Sequence, residues 1–398
     1  MRIRIGSSLL LAVLVLISTS WIGCDSSVAD DPPADDLPVT LSGVVRDQDT
    51  NSPLSDITVE LNSAQTKTTD QAGRFEFRDV PLGANALRVS ETGFDDYTRQ
   101  INVSAGDNSH DVSLLRITLY EFDEAGDFYE LYLPAGGSTY RGVIFLGEPS
   151  TQDTRGFASG IPRTNAAPGL NEFVAAERQR SLQLAETYGL ALMGAEVTRS
   201  TVFLVRALEH FAEESGHPEL AKAPVLAMGF SFGGCLAYEF TLDHPDRVIG
   251  FMTAKGSCHD LGDAGLARRV PGYLFIGGED APNRALNITD VFEENRPQGA
   301  LWSLVIEQGT GHIPVDDQTL LFNWMDAVLE ARLPETPPPG EPVVLRAIDE
   351  ATGWLGNRSS FEIADYAGYD ADRLQASWLP SMQTAQDWQA FASSVAGD

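Results

Sequence analysis

Lysine is nearly missing from this chain of 398 residues: Lys67, Lys222 and Lys255 are its only three, and basic side chains number 27 against 57 acidic ones. A formal net charge of −30 repels phosphates and argues against nucleic acid as a partner. The acids are scattered along the chain rather than gathered in one tail. Two readings of that surface stand open: adaptation to high salt, where self-repulsion is screened, and an ordinary acidic protein of the cell envelope. Cysteine is scarce as well, with Cys24, Cys235 and Cys258 alone, and no zinc-type pairing among them. There is no H-E-x-x-H and no dinucleotide glycine fingerprint, so the sequence signals neither a metal nor an organic cofactor. The apolar run Leu9–Ile17 is too short to span a bilayer.

That run has the flanks of an export signal, with Arg2 and Arg4 before it and Trp21-Ile22-Gly23-Cys24 after it. A Gly-Cys pair behind such a core resembles a bacterial lipoprotein signal. The resemblance implies that residues 1–23 are removed and that Cys24 becomes a lipidated first residue. The protein is then held at the periplasmic or outer-membrane face of the envelope, touching the membrane through its lipid anchor only; plain secretion is the alternative. Asp25–Pro38 is acidic, contains proline and has no apolar periodicity, so residues 24–40 read as a flexible tether.

From 41 to 115 short alternating runs are separated by turn residues: Leu41–Arg46, Ile57–Leu61, Arg74–Phe77, Ala86–Ser90, Ile101–Val103 and His110–Leu114. This spacing predicts an all-β sandwich. Gly43-Val44-Val45-Arg46-Asp47, the turn Thr69-Asp70-Gln71-Ala72-Gly73-Arg74-Phe75 and the following Val80-Pro81-Leu82-Gly83 resemble a carboxypeptidase regulatory-like domain, which implies a spacer or docking module. Asp47, Asp49 and Asp70 are read as exposed turn acids in preference to a calcium site.

Beyond Arg116 the rhythm changes to alternating strand and helix. Eight strands are predicted at Ile117–Phe122, Phe128–Leu133, Gly142–Leu146, Leu190–Ala195, Val225–Gly229, Val248–Ala254, Gly272–Ile276 and Ser303–Glu307. Helices are predicted at Asn171–Tyr188, Ser200–Glu214, Gly234–Asp243, Asn287–Asn295 and Asp317–Arg332. After the fifth strand comes Gly229-Phe230-Ser231-Phe232-Gly233-Gly234. A G-x-S-x-G between strand and helix is the context of a nucleophile elbow, where small residues let the two backbones pass close together. Residues 116–334 thereby resemble an α/β-hydrolase fold, an eight-stranded, mostly parallel sheet of the α/β class, preceded by the all-β sandwich. A proline-rich linker opens the tail, 335–398. Its aromatic residues, Trp354, Phe361, Tyr366, Tyr369, Trp378 and Trp388, mark it as folded and packed on the hydrolase body in preference to stacking carbohydrate. A strand is expected at Val343–Ala347 and a helix at Ala385–Val395.

A serine hydroxyl needs a base to take its proton, and the base needs a carboxylate to orient it. In this fold the partners follow in the order serine, acid, histidine. Of the histidines beyond Ser231, His244 falls at a helix end and His259 precedes the acid position. His312, in Gly309-Thr310-Gly311-His312 after the last strand, is the expected base. The turn Gly277-Gly278-Glu279-Asp280-Ala281-Pro282 resembles the family's G-x-x-D-x-P turn, which implies Asp280 as the acid, with Glu279 as its rival. The family implies two oxyanion donors: the backbone N–H of Phe232 and one from the loop after the third strand, assigned to Glu148. Cys235 lies a turn beyond Ser231 and Cys258 follows the next strand, so a disulfide beneath the site and two buried thiols both stand open.

At family level, Gly229–Gly234, Gly311-His312 and Arg332-Leu333-Pro334 resemble the polyhydroxybutyrate depolymerase-like and feruloyl esterase-like secreted hydrolases. The resemblance implies a serine esterase with Ser231, Asp280 and His312 as its triad, no cofactor and no metal, acting on a small or polymeric ester. A prolyl-oligopeptidase-type peptidase and an inactive envelope scaffold are the alternatives. The sequence does not fix an oligomeric state.

Overall fold

The computed structural model describes residues 38–48, 50–91, 93–94, 97–134, 139–147, 153–163, 170–196, 201–315, 317–334 and 343–394. Asp49, Glu148, the signal and residues 24–37 of the tether, Cys24 among them, lie outside the described residues, while the last tether residue, Thr40, already belongs to the first strand.

The first domain is a sandwich of two four-stranded sheets. One contains β1 (Thr40–Asp47), β4 (Arg74–Arg78), β7 (Asp107–Ser109) and β8 (Val112–Leu114). The other runs β3 (Gln65–Thr68), β2 (Thr58–Leu61), β5 (Gly83–Val89), β6 (Tyr97–Val103). Side chains alternate along β1 and β4, so Leu41, Val45, Phe75 and Phe77 meet Val59, Leu61, Leu87 and Val89 in one core. The predicted runs omit β3, whose Gln65–Thr68 carries no apolar residue to betray it. One acid departs from expectation. Asp47 is buried, not exposed: its Oδ2 lies 2.7 Å from Arg116 Nε and its Oδ1 accepts the Thr50 N–H. It therefore ties the sandwich to the segment leading into the next domain.

The second domain is built on β9 (Leu119–Glu124), β10 (Asp127–Tyr132), β11 (Gly142–Gly147), β12 (Leu190–Glu196), β13 (Val225–Phe230), β14 (Val248–Ala254), β15 (Gly272–Gly277) and β16 (Trp302–Glu307). They pair in the order β9-β10-β12-β11-β13-β14-β15-β16. The hairpin β9–β10 is antiparallel, β10 is antiparallel to β12, and the remaining pairs are parallel. The β13 and β14 strands are buried along their whole length, because helices cover both faces and leave no polar side. On one face lie α3 (Thr201–Ser215), α4 (Phe232–Asp243) and α5 (Pro282–Asn295). On the other lie α2 (Leu170–Tyr188), following the short α1 (Gly156–Ser159), and α6 (Gln318–Arg332). This strand order, with its single exchange of β11 and β12 and its sharp turn after β13, is the α/β-hydrolase fold.

The tail forms an antiparallel sheet of β17 (Trp354–Gly356), β18 (Ile363–Asp365) and β19 (Ser377–Leu379), followed by α7 (Met382–Ser393). It covers the outer edge of β16. The Ser377 hydroxyl accepts the Leu304 N–H at 3.0 Å and donates to the Leu304 carbonyl at 2.9 Å, and Trp388 Nε1 donates to that carbonyl too. A side chain thus takes the place of a further strand on a sheet edge. Arg296, fully buried, donates to the carbonyls of Ala376, Ala300 and Arg373 and pairs with Glu350. The strand expected at Val343–Ala347 does not form. Its backbone partner is a helix end and not a strand: the Arg346 N–H goes to the Arg332 carbonyl, and the Arg346 carbonyl accepts from the Arg332 guanidinium.

Candidate active site

The turn after β13 places Ser231 between strand and helix with φ 54° and ψ −115°, a region L-residues avoid. Two glycines permit it. A Cβ on Gly229 would fall 2.1 Å from the Gly233 carbonyl carbon, and one on Gly234 would fall 2.6 Å from Thr253 Oγ1. The Ser231 N–H donates to the Ala254 carbonyl at 2.6 Å, anchoring the elbow to the neighbouring strand end. Phe232 opens α4, and first-turn N–H groups point out of a helix toward its N-terminal end, here the side of Ser231.

His312 stands in the turn after β16. Its Nδ1 is 2.8 Å from Asp280 Oδ2 and its Nε2 is 2.9 Å from Ser231 Oγ. An ionised carboxylate only accepts, so the ring proton belongs on Nδ1, and Nε2 is left to accept from the serine hydroxyl. The Phe230 ring packs against the imidazole at 4.7 Å between centroids. Between the two acids of the turn after β15, the fold selects Asp280, with its side chain 3% exposed. Glu279 is exposed, and its N–H is spent on the Thr310 carbonyl. Burial acts to raise the Asp280 carboxyl. It is outweighed by hydrogen bonds from His312 and the Ala281 N–H, and by the charges of His312 and Arg284, so the group titrates below the ordinary carboxylate value.

Three strand ends therefore bring together Ser231, Asp280 and His312, with Phe232 beside the serine. Glu148, expected to give the second donor, lies outside the described residues. Cys235 and Cys258 are joined in a disulfide that links the first turn of α4 to the loop after β14, with Cα atoms 5.8 Å apart. His244 is the C-cap of α4. His259 is buried beside the site: Nδ1 faces Asn287 Oδ1 at 2.7 Å and Nε2 faces Thr253 Oγ1 at 2.6 Å. Two basic residues escaped the sequence reading. Arg284 pairs with Asp280 at 3.0 Å, and its i,i+4 offset from that acid at the start of a helix was the available signal. Lys255 reaches the turn that carries His312, and only its rarity as a lysine marked it out.

Fold and elbow define the class: an α/β-hydrolase-fold domain with a hydrogen-bonded Ser-His-Asp chain, behind a β-sandwich. The carboxypeptidase regulatory-like domain family matches residues 40–119. No curated protein matches the chain. Among solved structures it is similar to a thermostable esterase, at 9% identity over 69% of this chain and 91% of that one, with a TM-score of 0.37. It is also similar to a ferulic acid esterase (12% identity, 54% of this chain, 97% of that one, TM-score 0.37) and to the acetyl xylan esterase from Aspergillus awamori (12%, 52%, 99%, TM-score 0.35). Strand order and elbow define the fold.

Proposed function

We propose that this protein is a serine hydrolase cleaving carboxylic esters through an acyl-serine intermediate. The observation that carries the reading is the unbroken hydrogen-bond chain from Ser231 Oγ through His312 to Asp280, mounted on a strained elbow. The Ser231 hydroxyl gives its proton to His312 Nε2 as Oγ attacks the acyl carbon. Asp280 keeps the ring in the Nδ1–H form and stabilises the imidazolium. The oxyanion takes the Phe232 N–H and a second backbone donor, assigned to Glu148. His312 returns the proton to the leaving alcohol, then removes one from the water that releases the acid. The mechanism calls for no metal and no organic cofactor.

Gly229–Gly234, Gly311-His312 and Arg332-Leu333-Pro334 support placing the chain near the polyhydroxybutyrate depolymerase-like and feruloyl esterase-like hydrolases, with a small or polymeric ester as substrate. The signal-like N-terminus supports a lipid at Cys24, with residues 25–38 holding the folded part off the envelope membrane.

The test is hydrolysis of p-nitrophenyl esters from acetate to palmitate by the chain beginning after Cys24. The expected result is turnover and fluorophosphonate labelling, both abolished in Ser231→Ala. A folded protein that does neither overturns the reading, and cleavage of amides without esters turns it toward a peptidase.

A further inference from the structure

Lys255 follows β14 directly and is wholly buried. An isolated buried ammonium is costly, so its partners matter. Its Nζ lies 2.5 Å from Glu307 Oε2, at the end of β16, and donates to the Ile313 carbonyl at 2.8 Å and to Thr310 Oγ1 at 3.2 Å. Two ammonium donors are thereby used on acceptors that flank His312, and the Glu307 carboxylate meets the charge as an ion pair. The Thr310 hydroxyl in turn donates to the Glu307 carbonyl, and the Thr310 carbonyl accepts the N–H of Glu279, next to Asp280. The backbone of the lysine is fixed with equal care. Its N–H goes to the Phe275 carbonyl on β15, and the preceding Ala254 carbonyl receives the Ser231 N–H. Lys255 also holds φ 55°, which a non-glycine residue adopts at a cost. In a chain with three lysines among 27 basic residues, this position has a compact ammonium able to meet two acceptors and a carboxylate in diverging directions, which a planar guanidinium is poorly shaped to do.

We infer that Lys255 is a positioning residue: its ammonium clamps the 310–313 turn and so holds the His312 ring between Ser231 and Asp280. It touches neither substrate nor reacting atoms. The inference rests on the esterase reading for its kinetic consequence, but not for its structural one. Lys255→Met and the charge-balanced pair Lys255→Met/Glu307→Gln are compared with the wild type in three measurements. These are ester kinetics per fluorophosphonate-titrated serine, labelling rate, and the low-field proton resonance of His312 Nδ1–H. The expected result is a fall in kcat on the order of 10²-fold, the cost of a misplaced catalytic group, with KM within about twofold and the resonance shifted or broadened.

Should both variants fail to fold, Thr310→Val removes one acceptor and no charge. It is then expected to lower kcat by about threefold, a modest share of what a misplaced group costs, and to move the same resonance. A folded variant with wild-type kcat per titrated serine and an unchanged resonance overturns the inference and leaves Lys255 a purely structural residue. If the wild type neither labels nor hydrolyses esters, it is the esterase reading that fails. The resonance then still reports whether Lys255 holds the ring.

Discussion

Arg284, in the first turn of α5, brings its Nη1 within 3.0 Å of Asp280 Oδ1, while the other oxygen of the same carboxylate receives His312 Nδ1. One oxygen orients the imidazole; the other is held by Arg284 and by the Ala281 N–H at 2.6 Å. The carboxylate is thus fixed from both sides before any substrate arrives.

Removing that cation lets the Asp280 carboxyl rise toward its ordinary value and loosens its plane. Arg284→Leu is expected to lower kcat by about threefold to tenfold, roughly 1 kcal/mol, for a pair that is only partly solvent-screened. Asp280→Asn forfeits the carboxylate itself and is expected to cost on the order of 10⁴-fold. Steady-state kinetics on one ester separate the two magnitudes.

Stability should carry the same signature in acid. Because the folded Asp280 carboxyl sits below its unfolded value, the native state binds fewer protons than the unfolded chain. Its contribution is complete above the ordinary carboxylate value of about 4 and is lost as pH falls through the lower folded value. Thermal melts of wild type and Asp280→Asn between pH 2 and pH 6, spans chosen around that value, are expected to differ in slope below about pH 4 and to run parallel above it. Identical slopes would remove Asp280 from the acid-sensitive groups.

The Cys235–Cys258 bond closes a loop of 23 residues' separation directly beneath the elbow. Loop-closure entropy gives about 3 kcal/mol for such a length. The double variant Cys235→Ala/Cys258→Ala is expected to lose stability of that order in denaturant melts. Its kcat should stay near wild type at low temperature, since neither sulfur is among the groups that contact Ser231 Oγ or His312.

Trp388 is 1% exposed and bonded to Leu304 on β16. Trp388→Ala is expected to destabilise the chain by about 3–5 kcal/mol, through the cavity and the lost edge contact together. Ending the chain at Pro334 should expose the edge of β16 and promote aggregation, checked by light scattering.

Local pattern in the sequence was enough to read the alternating strands and helices, the elbow glycines and the order serine, acid, histidine, because each is written within a few neighbouring residues. Strand ends came within two residues of those observed for most of the sheet. Asp280 over Glu279 was legible as a turn pattern, yet only the fold shows why: one side chain turns inward to His312 while the other faces solvent. The disulfide stayed open in the sequence, since pairing depends on where the β14 loop passes α4. Val343–Ala347 looked like a strand by composition, but a strand exists only where a partner edge does, and Arg332 occupies that place. Lys255 was visible merely as a rarity. Its clamp on residues 310 and 313 joins positions 55 and 58 apart in the chain, which the parallel order of β14, β15 and β16 alone brings within hydrogen-bond reach.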